Sequence, residues 1–314
     1  MHILTFDDRT TMPAFGLGTW KSEPGKVYTA VKEAIKVGYR HIDCAPIYGN
    51  EAEVGKAIKE SLDEGLIERD ELWVTSKLWN DAHAPADVQP ALEKTLADLQ
   101  LDYLDLYLMH WPVAHAKGVP FPRKPEDLVA KSEISLADTF NAMAETKARG
   151  LTRHIGVCNF SIDNLETLLD EAEHHVEMNQ IELHPYLQQP EMLAYANDRQ
   201  ILLTAYSPLG SKDRPSNMKA EDEPSLFEDP TLQELAETKG VSPAQIMISW
   251  ALHRGTAVIP KSTNPGRIKE NFEATQIELS REDMQRIEQI DRGHRLLKGE
   301  FFAMGPYSMA DLWG

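Results

Sequence analysis

Two cysteines in 314 residues, Cys44 and Cys158, are too few for a disulfide framework or a zinc site built on thiolates, and they predict a reducing compartment. Basic residues are also scarce: 32 Lys and Arg face 50 Asp and Glu, a net charge of −18. Such a field repels polyphosphates and anionic lipid at long range, which argues against nucleic acid or a membrane surface as the main partner. No apolar run approaches the ~20 residues that span a bilayer, and Met1-His2-Ile3-Leu4-Thr5-Phe6 lacks the basic-then-apolar order of a secretory leader. These absences predict a soluble, cytoplasmic protein. No linker or low-complexity tract divides the chain. Nor does any G-x-G-x-x-G occur: Gly16-Leu17-Gly18-Thr19-Trp20-Lys21 lacks the third glycine, which counts against an open, doubly wound dinucleotide-binding sheet.

What is present is an alternation. Short apolar runs at Phe15–Thr19, Arg40–Asp43, Leu72–Lys77, Leu104–His110, His154–Cys158, Glu177–Gln180, Ile201–Tyr206 and Ala257–Lys261 read as strands. Amphipathic stretches near 27–37, 52–62, 88–99 and 136–148 read as helices between them. Eight strand–helix units close into a (β/α)₈ TIM barrel of the α/β class, a fold that commonly exceeds the usual ~150 residues as one domain. The expectation is a single domain over 1–314. Three segments are long for simple connections: 111–135, 211–229 and the tail 294–314. The tail's aromatics predict that it folds back over the barrel mouth, with the barrel bottom as the alternative.

Each predicted strand ends in a polar residue: Thr19, Asp43, Lys77, His110, Asn159, Gln180, Tyr206 and Lys261. Buried separately, such groups would each cost a few kcal/mol. A shared mouth at the C-terminal strand ends, where barrel active sites lie, explains them together.

Gly16-Leu17-Gly18-Thr19-Trp20-Lys21, His41-Ile42-Asp43-Cys44-Ala45-Pro46-Ile47-Tyr48-Gly49-Asn50-Glu51, Leu108-Met109-His110-Trp111-Pro112 and Ile259-Pro260-Lys261-Ser262 resemble the aldo-keto reductase family, in the right order and over about residues 10–275. The resemblance implies a barrel that reduces carbonyls with NAD(P)H, and a catalytic tetrad of Asp43, Tyr48, Lys77 and His110. Such chemistry needs a proton donor beside the carbonyl oxygen. A phenol is a poor acid at neutral pH, but an ammonium ~4 Å away is worth about 4 kcal/mol at an effective dielectric of 20. With Asp43 cancelling part of this, the expectation for Tyr48 is a net depression of one to two pKa units. His110 is expected to stay neutral and to hydrogen-bond the carbonyl oxygen.

Lys261 and Arg267 place two cations where barrels commonly bind phosphate, and the 2′-phosphate of NADP gives that cluster a reason in an acidic chain. The resemblance carries the same assignment to Lys261, Ser262, Thr263, Arg267, Glu270 and Asn271. It stacks Tyr206 on the nicotinamide, sets Ser207, Leu209 and Ser211 at the pyrophosphate, and gives Asn159 and Gln180 the carboxamide, with Thr19, Trp20 and Asp43 nearby. Cys158 departs from the family, which commonly has serine there, and a thiol is the weaker hydrogen-bond partner.

Trp20, Ile47, Tyr48, Trp79, His110, Trp111 and Phe121, with Leu296, Phe301 and Trp313 of the tail, are the expected substrate pocket. Trp73 reads as barrel-to-helix packing. The substrate is a small carbonyl compound, and hydrophobic aldehydes and sugars both stay open at this point. Two other readings are a metal-dependent barrel hydrolase and an NADPH-sensing subunit without catalysis. One Asp, one His and two Lys suit a divalent cation poorly, so no metal is expected. The complete tetrad argues against the sensor.

Overall fold

The computed structural model describes residues 2–219 and 223–314. Its barrel strands are β1 (Leu17–Gly18), β2 (His41–Asp43), β3 (Trp73–Leu78), β4 (Leu104–Met109), β5 (Thr152–Cys158), β6 (Met178–Glu182), β7 (Leu202–Tyr206) and β8 (Ala257–Val258), all parallel and in chain order around one sheet. Bridges from Phe15 to Val258 and from Gly18 to Lys261 join β8 back to β1, so the sheet closes. The seam is tight. A Cβ on Gly18 would lie 2.7 Å from the carbonyl oxygen of Ile259, so a side chain there would push the first and last strands apart.

The first helix buries one apolar stripe. In α1 (Lys26–Val37) Val27, Ala30, Val31, Ala34 and Ile35 face the sheet at the i, i+3, i+4 spacing. The helices α2 (Glu51–Asp63), α3 (Pro85–Leu99), α4 (Leu136–Ala148), α5 (Ile162–Glu171) and α6 (Pro190–Asp198) follow strands β2 to β6. Next come α7 (Pro230–Lys239), α8 (Pro243–His253) and α9 (Pro265–Glu273). Side-chain oxygens of Ser135, Ser161, Ser242 and Asn264 accept orphan N–H groups at the starts of α4, α5, α8 and α9.

The barrel bottom is covered by an N-terminal hairpin, Ile3–Thr5 against Thr11–Pro13. Phe6 stacks on His154 at 4.0 Å and on Trp73 at 5.4 Å, so Trp73 packs against this hairpin. The tail is therefore left for the opposite end. Phe302, Tyr307 and Leu312 form a second apolar cluster with Trp79, Trp111, Val113 and Leu128 over the mouth. The 111–135 segment supplies a short hairpin, Ala114–His115 with Leu128–Val129, to the same cluster.

Two buried histidines make the fold acid-sensitive. Burial pushes His41 down to about 4, against the raising effect of Asp43, and pushes His83 down to about 3. Between those values and the ordinary 6.5 the unfolded chain binds more protons than the folded one, so stability falls as pH falls. By pH 5 the loss is about 2 kcal/mol per histidine. Urea midpoints should already decline between pH 7 and 5.5, above the carboxylate range; a flat profile there would contradict the assignment.

Candidate active site

Strand β2 ends in Asp43 and β3 carries Lys77, whose side chain is fully buried. The Lys77 ammonium donates to Asp43 Oδ1 at 2.6 Å and to the Cys44 carbonyl at 2.9 Å. Its third contact is the Tyr48 hydroxyl, at 3.5 Å. Gln180 on β6 donates to the other Asp43 oxygen at 2.7 Å, and Thr19 donates to the Asp43 carbonyl at 2.7 Å. Tyr48 itself sits in a 3₁₀ turn, Pro46–Tyr48, that follows β2. The His110 ring stands edge-on to it, 5.9 Å between centroids. Residues from three strands and one loop thus meet around one phenol.

Burial is the largest influence on Tyr48 and drives its hydroxyl well up; Lys77 pulls down and Asp43 pushes up. The expected net depression does not appear, because desolvation outweighs an ammonium already engaged by a carboxylate. The phenol is a reserve of protons. Lys77 moves up despite its burial, because Asp43 stabilises its charge, so the ammonium persists. His110 is held well below its ordinary value by burial and by Lys77, and is neutral, as the sequence suggested.

Asn159 directly follows β5, and Gln180 lies on β6. Asn159 donates to the His110 carbonyl at 2.9 Å and accepts from the Tyr206 hydroxyl at 2.5 Å. Buried Cys158 lies 3.2 Å from the Asn159 amide nitrogen. Several residues here hold backbone that only function or firm packing sustains: Lys21, Asn159, Ser207 and Ser211 all have positive φ, between 42 and 63°. The Ser207 and Ser211 hydroxyls meet at 2.8 Å. Asp213 then bridges Lys21 at 2.5 Å and Lys261 at 3.1 Å, across the ends of β1 and β8.

Beyond β8, Ser262 and Asn271 are buried, Thr263 is half-buried and Arg267 is exposed in the first turn of α9. The backbone carbonyl of Glu270 accepts from the Gln245 side chain of α8. A run of hydroxyls, two lysines, an arginine and a helix N-terminus is a donor set that fits phosphate groups.

On the other side, Trp79 meets the His110 ring at 5.0 Å and Phe121 at 5.8 Å, while Trp20 faces Tyr48 at 6.5 Å. Trp111 meets Phe301 and Trp313 at 6.5 and 5.8 Å, and Ile47 packs at the cluster's edge. Leu296 departs from expectation. It lines a small cavity with His184, Leu209 and Leu226 and does not belong to the aromatic cluster of Trp79 and Trp111. A larger cavity is bounded by Asn159, Ser161, Glu182, Gln189, Arg295 and Trp313, between the ends of β5 and β6 and the tail.

Lys21, Asn50, Asp213 and Glu182 escaped the sequence reading. Asn50 fixes the β1 end through the Thr19 carbonyl, at 3.0 Å. Glu182 had a visible signal: it shares the β6 face with Gln180, two residues earlier. Among the described residues no group of three or more His, Cys, Asp or Glu could hold a metal ion, and no helix is long and apolar enough to cross a membrane.

The profile of the aldo/keto reductase family matches residues 12–292. The chain belongs to that family. Among relatives of this aldo/keto reductase, one of Synechocystis sp. named an aldo/keto reductase is 49% identical over 96% of this chain and 93% of its own length. Aldo-keto reductase family 1 member A1 of Mus musculus is 47% identical over 91% of this chain and 88% of its own. The solved aldose reductase of Schistosoma japonicum superposes with a TM-score of 0.88 at 34% identity, covering 96% of both chains. As a member of the family the protein is an oxidoreductase of small carbonyl compounds, and aldo/keto reductases use a nicotinamide cofactor.

Proposed function

We propose that this aldo/keto reductase reduces aldehydes, and some ketones, to alcohols with NADPH, working in the cytoplasm as one barrel domain over 1–314. The observation that carries the reading is the connected set Asp43–Lys77–Tyr48, with neutral His110 beside it, under an aromatic wall. When bound, the nicotinamide supplies the hydride. Tyr48 gives its proton to the oxygen as negative charge develops there. Lys77 stabilises the phenolate left behind, which places its contribution in the transition state rather than in substrate binding. Asp43 and Gln180 hold Lys77 in place, and His110 donates a hydrogen bond to the oxygen.

Lys261, Ser262, Thr263, Arg267 and Asn271 would hold the adenosine 2′-phosphate, and Ser207, Leu209 and Ser211 the pyrophosphate, while Tyr206, Asn159 and Gln180 flank the nicotinamide. Thr19, Trp20 and Cys158 border that same space.

The wall favours hydrophobic aldehydes over sugars. Two of its indole N–H groups are engaged by backbone, Trp79 by Pro120 at 2.8 Å and Trp313 by Lys298 at 2.7 Å, so those two offer little to sugar hydroxyls. The solved relative named an aldose reductase makes a sugar panel the natural comparison.

The test follows coenzyme absorbance with a simple aromatic aldehyde, aldoses, NADPH and NADH. The aromatic aldehyde with NADPH should give the highest kcat/KM. Arg267→Ala should weaken NADPH by about 10- to 100-fold and NADH by much less, since only the former loses a charge-assisted phosphate contact. Equal weakening of both coenzymes would remove the NADPH preference, and NADPH binding without turnover would favour a sensor.

A further inference from the structure

Glu182 closes β6 with a side chain that has no exposure, yet it takes no part in the chemistry above. Its two oxygens are spent on the tail. Oε1 accepts the backbone N–H of Leu296 and Oε2 that of Leu297, each at 2.7 Å, and His184 Nε2 stands 3.0 Å from Oε1. Two consecutive N–H groups on the two oxygens of one carboxylate fix orientation as well as position. Burial alone would raise this carboxyl, but the contacts from His184 and the tail backbone outweigh it and hold it low, so it is ionised.

We infer that Glu182 is a positioning residue whose buried carboxylate clips the start of the C-terminal tail to β6 and so sets the aromatic wall over the mouth. The tail is fastened at further points, among them the His294 N–H, which donates to the Tyr186 carbonyl at 2.8 Å, and contacts of Tyr307 and Asn164. The Tyr307 hydroxyl accepts from Ala114 N–H at 3.0 Å and donates to the Val129 carbonyl at 2.9 Å. Asn164 donates to the carbonyls of Asp311 and Leu312, both at 3.1 Å. Phe301 and Phe302, partners of Trp111, hang between the outer fastenings, and Trp313, its third partner, directly follows the last. Because the clip engages backbone, it does not depend on which side chains the tail presents.

One strand face thus serves two ends. Gln180 orients Asp43, and Glu182, two residues on, holds the wall. The register between the reacting groups and the tail is therefore set by a rigid strand rather than a loop.

The consequence for substrates rests on the proposed aldehyde reduction, but the clip can be read without it. In the unmodified full-length chain, hydrogen exchange should be at least about tenfold slower at the Leu296 and Leu297 amides than at Lys298 and Gly299. Glu182→Gln keeps the shape but turns a donor toward one of the two N–H groups. It should speed exchange over 294–304 by about tenfold or more while the eight strands stay protected. It should also raise KM for a bulky aromatic aldehyde by about tenfold, leaving kcat and NADPH binding within about twofold. Asn164→Ala, which loosens the far end, should move exchange at 309–314 and not at 296–297.

Unprotected Leu296 and Leu297 amides in the unmodified chain would overturn the clip. So would Glu182→Gln leaving tail exchange unchanged, or loosening strands and tail alike. A chain with the predicted exchange pattern but no aldehyde reduction would keep the clip and sink only the proposed function.

Discussion

Tyr48→Phe should lower kcat on the order of 10²–10⁴-fold and leave NADPH affinity nearly unchanged. The substitution removes one oxygen from a buried site and alters nothing at the phosphate-binding end. The size follows from the lack of a substitute donor. His110 is neutral, driven well below its ordinary value by burial and by Lys77, so it holds no ready imidazolium proton at neutral pH. Lys77 holds its proton more tightly than a free lysine because Asp43 sits 2.6 Å away. The high affinity of the Tyr48 oxygen for its proton does not disqualify it. An alkoxide is a far stronger base than a phenolate, so transfer is driven by the forming product and occurs only as charge appears. Stopped-flow measurement of single-turnover reduction isolates this step from coenzyme release. Parallel loss of turnover and NADPH binding would remove Tyr48 from the role of acid. A larger loss in His110→Gln would transfer that role to the histidine.

The eight strands were legible because a parallel barrel buries every strand on both faces, leaving short apolar runs that a polar residue ends. The Leu104–Met109 strand is one such run, buried throughout. The N-terminal hairpin was not legible: Ile3–Thr5 and Thr11–Pro13 are three residues each, too short for a period to show. The residues that gather around Tyr48 were readable through their strand-end positions and the order of motifs, whereas the electrostatics of Tyr48 were not. Pairwise charge arithmetic captures Lys77 but not desolvation, which depends on how completely neighbours exclude water. Leu296 was misplaced for a related reason. Its neighbours in sequence are set by backbone bonds to Glu182, which direct its side chain toward Leu209 rather than Trp111. Asp213, in a segment with no periodicity, acquires its part only when β1 and β8 bring Lys21 and Lys261 to either side.

Replacing Lys77 with Met should be costly in two separable ways. The first is stability. Asp43 is 2% exposed in its side chain and Lys77 not at all, so removing the ammonium leaves a carboxylate buried with Gln180 as its remaining side-chain partner. Breaking a buried ion pair from one side costs about 3–5 kcal/mol, because the surviving charge keeps its desolvation penalty and loses its attraction. Asp43→Asn in the Lys77→Met background removes that charge, and should recover a large part of the loss in urea midpoint. The second is catalysis, which the double variant should not recover. With no cation beside Tyr48, proton transfer leaves an uncompensated phenolate in a buried site, and kcat should fall on the order of 10²–10³-fold with KM little changed. A structural lysine would behave otherwise: repairing stability would repair turnover. Activity that returns with the urea midpoint in the double variant would therefore strip Lys77 of its electrostatic role. Stability regained without turnover would separate the pair that holds the site from the charge that works in it.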